Sequence, residues 1–240
     1  MSELAERLQQ KYFGHVEHPY RTFEKAVDGY LRPGHTLLDA GCGYTAPVLQ
    51  KFQGKAARLI GIDMVDFPAE IPGIELYKGD LAHTGLEDAS VDLIMCRSVM
   101  EHVDDPRAVY REMFRVLRPG GRFIFLTANL WDYASLIAKI VPNSLHPWIV
   151  SKAEGRAEMD VFPVRYRTNT YGSVKGWARE SGFAIEDFRY LGQYPCYFMF
   201  NGFLFWLATG YEKLITKVEA LKFLRGWIFV TLGKPAEERL

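Results

Sequence analysis

The sequence predicts one α/β domain built on a doubly wound, mostly parallel sheet, and three observations carry that expectation. Short apolar strands alternate with amphipathic helices through the first half of the chain, the first strand runs into a glycine loop, and no repeat or low-complexity tract interrupts the 240 residues. Strands alternating with helices predict a sheet covered on both faces. A chain of this length buries a full core and still has room for insertions.

Leu4 to Tyr12 and Pro19 to Leu31 place apolar residues at helical spacing, and Pro19 suits a first turn. Arg32-Pro33-Gly34 breaks the second helix, and Thr36 to Asp39 follows as a strand ending in glycines. Further strands are expected at Arg58 to Ile62, Glu75 to Tyr77, Val91 to Cys96 and Arg122 to Thr127, with helices at Ala46 to Phe52 and Pro106 to Leu117. Arg118-Pro119-Gly120-Gly121 reads as a sharp turn that ends one helix and launches the next strand. Asn169 or Thr170 caps a helix running to Glu180, Gly182 ends it, Phe183 to Leu191 alternates like a strand, and Trp227 to Leu232 looks like the last one. Trp131 to Arg167 and Tyr194 to Gly226 are longer than a minimal alternation needs and read as insertions. The expected organisation within the single domain is a helical cap over 1–33, a cofactor-binding core over 34–129, an acceptor-side insertion over 130–168, and the rest of the sheet over 169–240 with an apolar helical insertion at 194–226.

Composition narrows the function classes. The chain is 48% hydrophobic with 29 basic and 29 acidic residues, so it has no net field to concentrate a polyanion, and nucleic acid is not an expected partner. Met1 to Arg7 is charged and lacks the apolar core of a secretory signal, which makes the cytoplasm the expected location. Cys42, Cys96 and Cys196 are unpaired in spacing and read as reduced, structural thiols. The apolar stretch Cys196 to Ala208 contains Asn201 and Gly202 and falls short of the roughly 20 residues a spanning helix needs, so it can lie on a bilayer but not cross one. Protein core, a dimer partner, a long apolar acceptor or a peripheral membrane surface are the coverings weighed for 196–225, where Lys213, Lys217, Lys222 and Arg225 interleave with Leu214, Ile215, Val218 and Leu221.

The chemistry-bearing residues gather at the expected carboxyl ends of the strands. In Leu37-Leu38-Asp39-Ala40-Gly41-Cys42-Gly43 a strand enters Gly-x-Gly, which lets backbone approach a ligand closely; a dinucleotide enzyme uses nearly the same loop. Asp63 ends the second strand, followed by Met64, where a carboxylate can accept two ribose hydroxyls, a feature dinucleotide enzymes share. Gly79-Asp80-Leu81 follows the third strand and can offer a carboxylate and a backbone donor to an adenine ring, while Arg97-Ser98 forms the polar turn after the fourth. Each glycine or aspartate alone could be a plain loop residue. Cys42 has no evident base to activate it and reads as packing.

In combination, Leu-Asp-x-Gly-Cys-Gly, the Ile62-Asp63 strand end, Gly79-Asp80-Leu81, Ser90-Val91-Asp92-Leu93-Ile94, Glu101-His102-Val103-x-Asp105-Pro106 and Leu117-Arg118-Pro119-Gly120-Gly121 resemble the class I S-adenosylmethionine-dependent methyltransferases, in the small-molecule, ubiquinone-biosynthesis-like branch (methyltransferase type 11), over about Thr36 to Asn129. The resemblance implies a Rossmann-like seven-stranded sheet of order 3-2-1-4-5-7-6 whose last strand is antiparallel. It implies S-adenosyl-L-methionine as cofactor and S-adenosyl-L-homocysteine as product, with methionine near Gly41 to Gly43, ribose at Asp63, adenine at Asp80 and the amino group near Arg97. Tyr12, His15, His18 and Tyr20 lie in the region that caps the donor pocket in similar enzymes, and Tyr12 and His18 are taken as donor-site candidates. Such enzymes with a Glu-x-x-Glu-His run are implied to bind a divalent metal; here the first position is Ser98, so no metal is expected.

Methyl transfer from a sulfonium mainly requires positioning of donor and acceptor. An oxygen or nitrogen acceptor must also lose a proton, and His102 is the candidate base because imidazole exchanges protons near neutrality. His102 as a mere pocket former carries equal weight. Glu101 is placed to orient His102 or to cap the next helix. The acceptor expected is a small hydrophobic or glycan-linked molecule, walled by the first insertion, where Trp131, Asp132, Tyr133, His146, Trp148, Phe162, Arg165 and Tyr166 lie. O-methylation is the leading reading; N- or C-methylation, a nicotinamide-dependent reductase and a non-catalytic cofactor-binding subunit stay open.

Overall fold

The computed structural model describes residues 2–140 and 163–236. Among these, seven strands form one mixed sheet: β1 (Thr36–Ala40), β2 (Arg58–Asp63), β3 (Glu75–Lys78), β4 (Val91–Arg97), β5 (Leu117–Ala128), β6 (Ala184–Leu191) and β7 (Trp227–Gly233), in the order β3-β2-β1-β4-β5-β7-β6. β3, β2, β1, β4 and β5 pair in parallel. β7 runs against β5: at one end the Gly120 amide donates to the Lys234 carbonyl and the Lys234 amide to Gly121, and at the other the Asn129 amide donates to Gly226, each at 2.9 Å. The sheet expected from the sequence is therefore the one observed, in order and in sense.

Six α-helices accompany it among the described residues: α1 (Glu3–Phe13), α2 (Pro19–Tyr30), α3 (Pro106–Val116), α4 (Tyr133–Ile140), α5 (Tyr171–Ser181) and α6 (Gly202–Lys217). α3 starts because Pro106 presets its first turn and the Asp105 carboxylate accepts the Ala108 amide at 3.1 Å. Glu101, also placed in the sequence reading to cap this helix, does not do so. α5 begins at a Thr170/Ser173 capping box and stops at Gly182, whose φ of +89° is the left-handed turn that glycine enters without strain.

By their contacts the residues divide into two compact units. The first, Tyr20–Thr127 with Arg165–Arg189 and Phe229–Leu240, holds most of the sheet, α2, α3 and α5. Its core is fully buried aliphatic sheet, Leu37, Leu38, Ile60, Ile62 and Ile94, closed on one side by Tyr110, whose ring meets Phe123, Phe125 and Phe183 edge-on and whose hydroxyl is 2.9 Å from that of Thr168. The second unit, Met1–Pro19 with Ala128–Val164 and Tyr190–Ile228, holds α1, α4 and α6. There the Asn129 side-chain amide donates to the carbonyls of Phe223 and Arg225 at 2.6 and 2.7 Å, tying the segment after β5 to the approach to β7.

Three local expectations change. Arg118-Pro119-Gly120-Gly121 does not separate helix from strand: β5 starts at Leu117 and carries these residues within it as an irregularity, Gly120 adopting φ +80°, and the β4 register shifts between Val91 and Leu93. The helix expected over Ala46 to Phe52 contracts to one 3-10 turn at Leu49–Phe52, because Ala46 sits at φ +43°, outside helical space. The helical spacing of 212–225 breaks after Lys217 and resumes as a 3-10 segment at Glu219–Leu224. His146, Trp148 and Phe162 lie outside the described residues.

Asp105→Ala removes the α3 cap and should cost about 1 kcal/mol, read as a lower urea midpoint at unchanged slope; an unchanged midpoint would show that Pro106 alone fixes the helix start.

Candidate functional site

The carboxyl ends of β1, β2, β3 and β4 bring one set of groups together within the sheet unit. As β1 ends, the Gly41 and Cys42 amides both donate to the Ile62 carbonyl at 2.8 and 3.2 Å, and the Gly43 amide donates to Asp63 Oδ2 at 2.7 Å. The glycine loop is thus hung from the end of β2. Gly41 is required twice, by its φ of +86° and because a Cβ there would collide with the Val99 side chain. Val99 is aimed at it by Ser98, a non-glycine residue in the left-handed region at φ +58° whose amide donates to Leu126. Cys42 turns inward, so that a Cβ on Gly61 would press on its sulfur, and burial and the nearby carboxylates of Asp39 and Asp63 push its thiol far above the usual range. Its buried sulfur therefore packs against Gly61 as a protonated thiol.

Asp39 is the electrostatic centre. Its carboxyl is 3% exposed, Oδ2 has no hydrogen-bond partner, and burial pushes it up to about 7 against the pull of the Arg97 guanidinium, with Asp63 adding to the rise. Arg97 is itself held by α2: its guanidinium lies 4.2 Å over the Tyr20 ring and 3.2 Å from Glu24 Oε1, which Lys51 also reaches at 2.6 Å, while the Tyr20 hydroxyl is 3.3 Å from Ser98 Oγ. Glu24 escaped the sequence reading, although it lies one helical turn from Tyr20 and so shares its face. Asp63 has a second oxygen 3.3 Å from the Val65 amide, and its carbonyl accepts the Gly79 amide at 2.9 Å, which sets Asp80 beside it at the end of β3. Asp80 Oδ1 takes the Ala82 amide, Leu81 is buried, and Met64 is exposed on the rim.

Glu101 and His102 follow β4. The Glu101 carboxylate is buried and accepts the Thr127 hydroxyl at 2.7 Å, and Thr127 in turn accepts the Asn169 side-chain amide at 2.8 Å. The Glu101 carbonyl takes the amides of Arg165 and Tyr166 at 2.7 and 3.1 Å, and Arg165 pairs with Asp104. Glu101 therefore anchors the segment leading into α5 onto the ends of β4 and β5. His102 is half-buried, with its amide on the Val99 carbonyl at 2.8 Å. Tyr12 and His18 belong to the other unit, where Lys11 and Lys213 lie over the Tyr12 ring at 5.1 and 3.3 Å. Among the described residues no group of three or more histidine, cysteine, aspartate or glutamate side chains is arranged to hold a metal ion.

Residues 38–125, which span this constellation, match the family model described as a methyltransferase domain. Residues 38–125 are a methyltransferase domain. The chain is 39% identical over 103 residues to a Mycolicibacterium smegmatis protein named "Probable S-adenosylmethionine-dependent methyltransferase", covering 40% of this chain and 39% of that one. It is 31% identical over 165 residues to the ubiquinone biosynthesis O-methyltransferase of Pseudomonas putida strain W619, covering 64% of this chain and 66% of the other. The chain thus spans between about two fifths and two thirds of the length of these curated relatives. Among solved structures, the geranyl diphosphate C-methyltransferase of Streptomyces coelicolor superposes with a TM-score of 0.57 at 15% identity over 92% of this chain and 77% of that chain. The [4+2]-cyclase SpnF does so with a TM-score of 0.57 at 16% identity over 90% and 80%. These two share the fold of the methyltransferase domain, and the fold alone does not fix the reaction.

The residues present fit S-adenosylmethionine, the donor that the sequence resemblance implies. Its α-ammonium group is a match for the unpartnered, buried oxygen of Asp39, its ribose hydroxyls for the Asp63 carboxylate, and its adenine amine for Asp80. A dinucleotide fits less well. Five residues separate Gly43 from the 3-10 turn at Leu49, so the chain does not run from the loop directly into a helix N-terminus that would receive a pyrophosphate, and Asp39 would repel one.

Because a cation binds the ionised form of Asp39, donor affinity should rise as the pH increases through about 7 and level off above it. Calorimetry with S-adenosylhomocysteine across pH 6 to 8.5 reads this; Asp39→Asn should bind weakly and flatly, and a wild-type profile equally flat would exclude Asp39 as the ammonium partner.

Proposed function

We propose that the protein is an S-adenosylmethionine-dependent methyltransferase that methylates a hydroxyl oxygen of a small hydrophobic or glycan-linked acceptor. The observation that carries the donor half is Asp39, a buried carboxyl with an unpartnered oxygen at the loop where β1 meets Gly41. When bound, the donor supplies a methyl group on a sulfonium, which an acceptor oxygen displaces in line. The chain's own residues orient donor and acceptor: Asp39, Asp63 and Asp80 hold the donor, the Arg97–Tyr20–Glu24 cluster fixes the turn after β4, and Glu101 locks the backbone that carries His102. His102 receives the acceptor proton. Its support is position, directly after the buried Glu101 and with its amide on the carbonyl of Val99, whose side chain lies against the glycine loop. The O-methyltransferase names among the relatives favour oxygen over nitrogen or carbon.

His102→Ala should lower kcat by roughly 10²–10⁴-fold, the range of a lost proton acceptor, while donor affinity stays within about twofold. Unchanged turnover rules out the base role. Calorimetry in which NADPH binds and S-adenosylmethionine does not would replace the whole reading with a reductase.

We further infer that one face of α6 rests on a membrane surface. Phe203 is 64% and Trp206 54% exposed, with Phe200, Leu207 and Leu214 alongside, and the exposed Lys213, Lys217 and Lys222 follow. Aromatic and aliphatic side chains on one stripe with cations beside them suit an anionic lipid surface, and no described helix is long and apolar enough to cross a membrane. The protein should co-sediment with vesicles of phosphatidylcholine and phosphatidylserine several-fold more than with phosphatidylcholine alone, and the double variant Phe203→Ser, Trp206→Ser should lose that binding. Sedimentation velocity showing a dimer that the same variant dissociates, with no vesicle binding, would reassign the face to a second copy.

A further inference from the structure

The inner face of α6 carries a charged side chain where packing calls for an apolar one. Glu212 follows Phe205 and Thr209 along the buried stripe and is 2% exposed, and its Oε2 has no hydrogen-bond partner. As a carboxylate this oxygen lacks a donor, and as an acid it lacks an acceptor; either way a buried polar atom stays unsatisfied. The charge acting on it is another buried carboxyl, Asp132, 4% exposed, which accepts the Ala134 amide at 3.1 Å at the start of α4.

Aromatic rings complete the surroundings. The Tyr133 ring stacks on Phe198 at 5.9 Å and meets Tyr211 edge-on at 5.6 Å, and both tyrosines feel the fields of Asp132 and Glu212. The 3-10 turn at Cys196–Phe198 brings Phe198 against Tyr133, and Cys196 and Tyr197 lie near enough to act on it electrostatically. Of the described basic groups on the packed elements, Lys11 and Lys213 lie on the Tyr12 ring, Arg225 donates to the carbonyls of Ile215, Thr216 and Tyr190, and Lys217 is exposed. Among the described residues, two buried carboxyls and several aromatic faces therefore stand together with no basic side chain paired to either carboxyl, all within one compact unit.

We infer that Glu212 and Asp132, flanked by Tyr133 and Tyr211, form a binding site for an organic ammonium group. Such a ligand supplies N–H donors to the orphaned Oε2, neutralises the buried negative charge, and presents its alkyl surface and charge to the aromatic rings. A neutral hydroxyl compound would satisfy the oxygen and leave the charge uncompensated. Burial, first, raises both carboxyls, Asp132 to about 6 and Glu212 to about 8, with the Asp132 charge adding to the rise in Glu212. Near neutrality the pair holds one proton, and an incoming cation expels it. The inference does not rest on the donor site, which lies in the other unit.

The probe is phenethylammonium, with 2-phenylethanol as its neutral counterpart, measured by calorimetry on the full chain in two buffers of different ionisation enthalpy. The ammonium should bind roughly tenfold or more tightly than the alcohol, the order of a charged hydrogen bond, with proton release at pH 7 and affinity that rises towards pH 8. Glu212→Gln should abolish the preference while S-adenosylhomocysteine affinity, read in parallel, stays as in wild type. Asp132→Asn keeps the helix cap, since asparagine caps as well as aspartate, and should also weaken the ammonium, so a misfolded Gln variant still leaves the test standing. Equal binding of ammonium and alcohol, or an ammonium preference that survives both variants, overturns the proposal.

Discussion

Asp63 ties three strand ends together, and the order of the whole ligand edge depends on it. Its carboxylate takes the Gly43 amide beyond β1 and the Val65 amide beyond β2, and its carbonyl takes the Gly79 amide at the end of β3. Glycine loops are entropically expensive to order; here one amide on the Asp63 carboxylate and two on the Ile62 carbonyl fix the loop. One residue thus organises the ends of β1 and β2, and its own backbone carbonyl holds the residue that follows β3.

The buried carboxylates of the sheet unit differ in how fully their oxygens are satisfied. Burial pushes Glu112 up, but the Arg115 guanidinium and the hydroxyl and amide of Thr84 outweigh it and bring it to about 2. Its folded pKa lies below the unfolded one, so it contributes stability above the ordinary carboxylate range that is lost as the pH falls towards about 2. Glu101 is satisfied by Thr127 and ties two strand ends to the segment entering α5. Asp39 alone among these three keeps an unpartnered oxygen. Its folded pKa is raised, so without a cation it costs stability as the pH rises from about 4 towards 7. A protein retains such an expense where function uses it.

The sheet was legible because its strands are short apolar runs bounded by glycine, proline or aspartate, and the strand boundaries expected for β1 to β4 differ from the observed ones by a residue or so. The clustering of Asp39, Asp63 and Asp80 at one edge of the sheet was legible for the same reason: motifs fall at strand ends, so locating the strands placed these three carboxylates together. The Tyr20–Glu24–Arg97 cluster was not, since its partners are more than 70 residues apart. α6 defeated periodicity because Phe203, Trp206 and Leu207 outside and Phe205 inside leave no apolar contrast around the helix. The burial of Glu212 gave no signal in the sequence, where a glutamate among lysines reads as exposed because the residue is almost never buried. β5 began earlier than expected because a Pro-Gly-Gly run, usually a break, is here held in the sheet by Lys234.

The antiparallel return of β7 has a consequence for how the chain comes together. β7 is the last strand in sequence but lies between β5 and β6 in space. During synthesis, β1 to β5 can pair as they emerge, whereas β6 has no neighbour until Trp227–Gly233 has left the ribosome. Until then β5 and β6 each present an open edge, the state in which strands recruit the wrong partner. The nascent chain is thus most exposed to misassembly late, over the interval in which the apolar α6 is also being made.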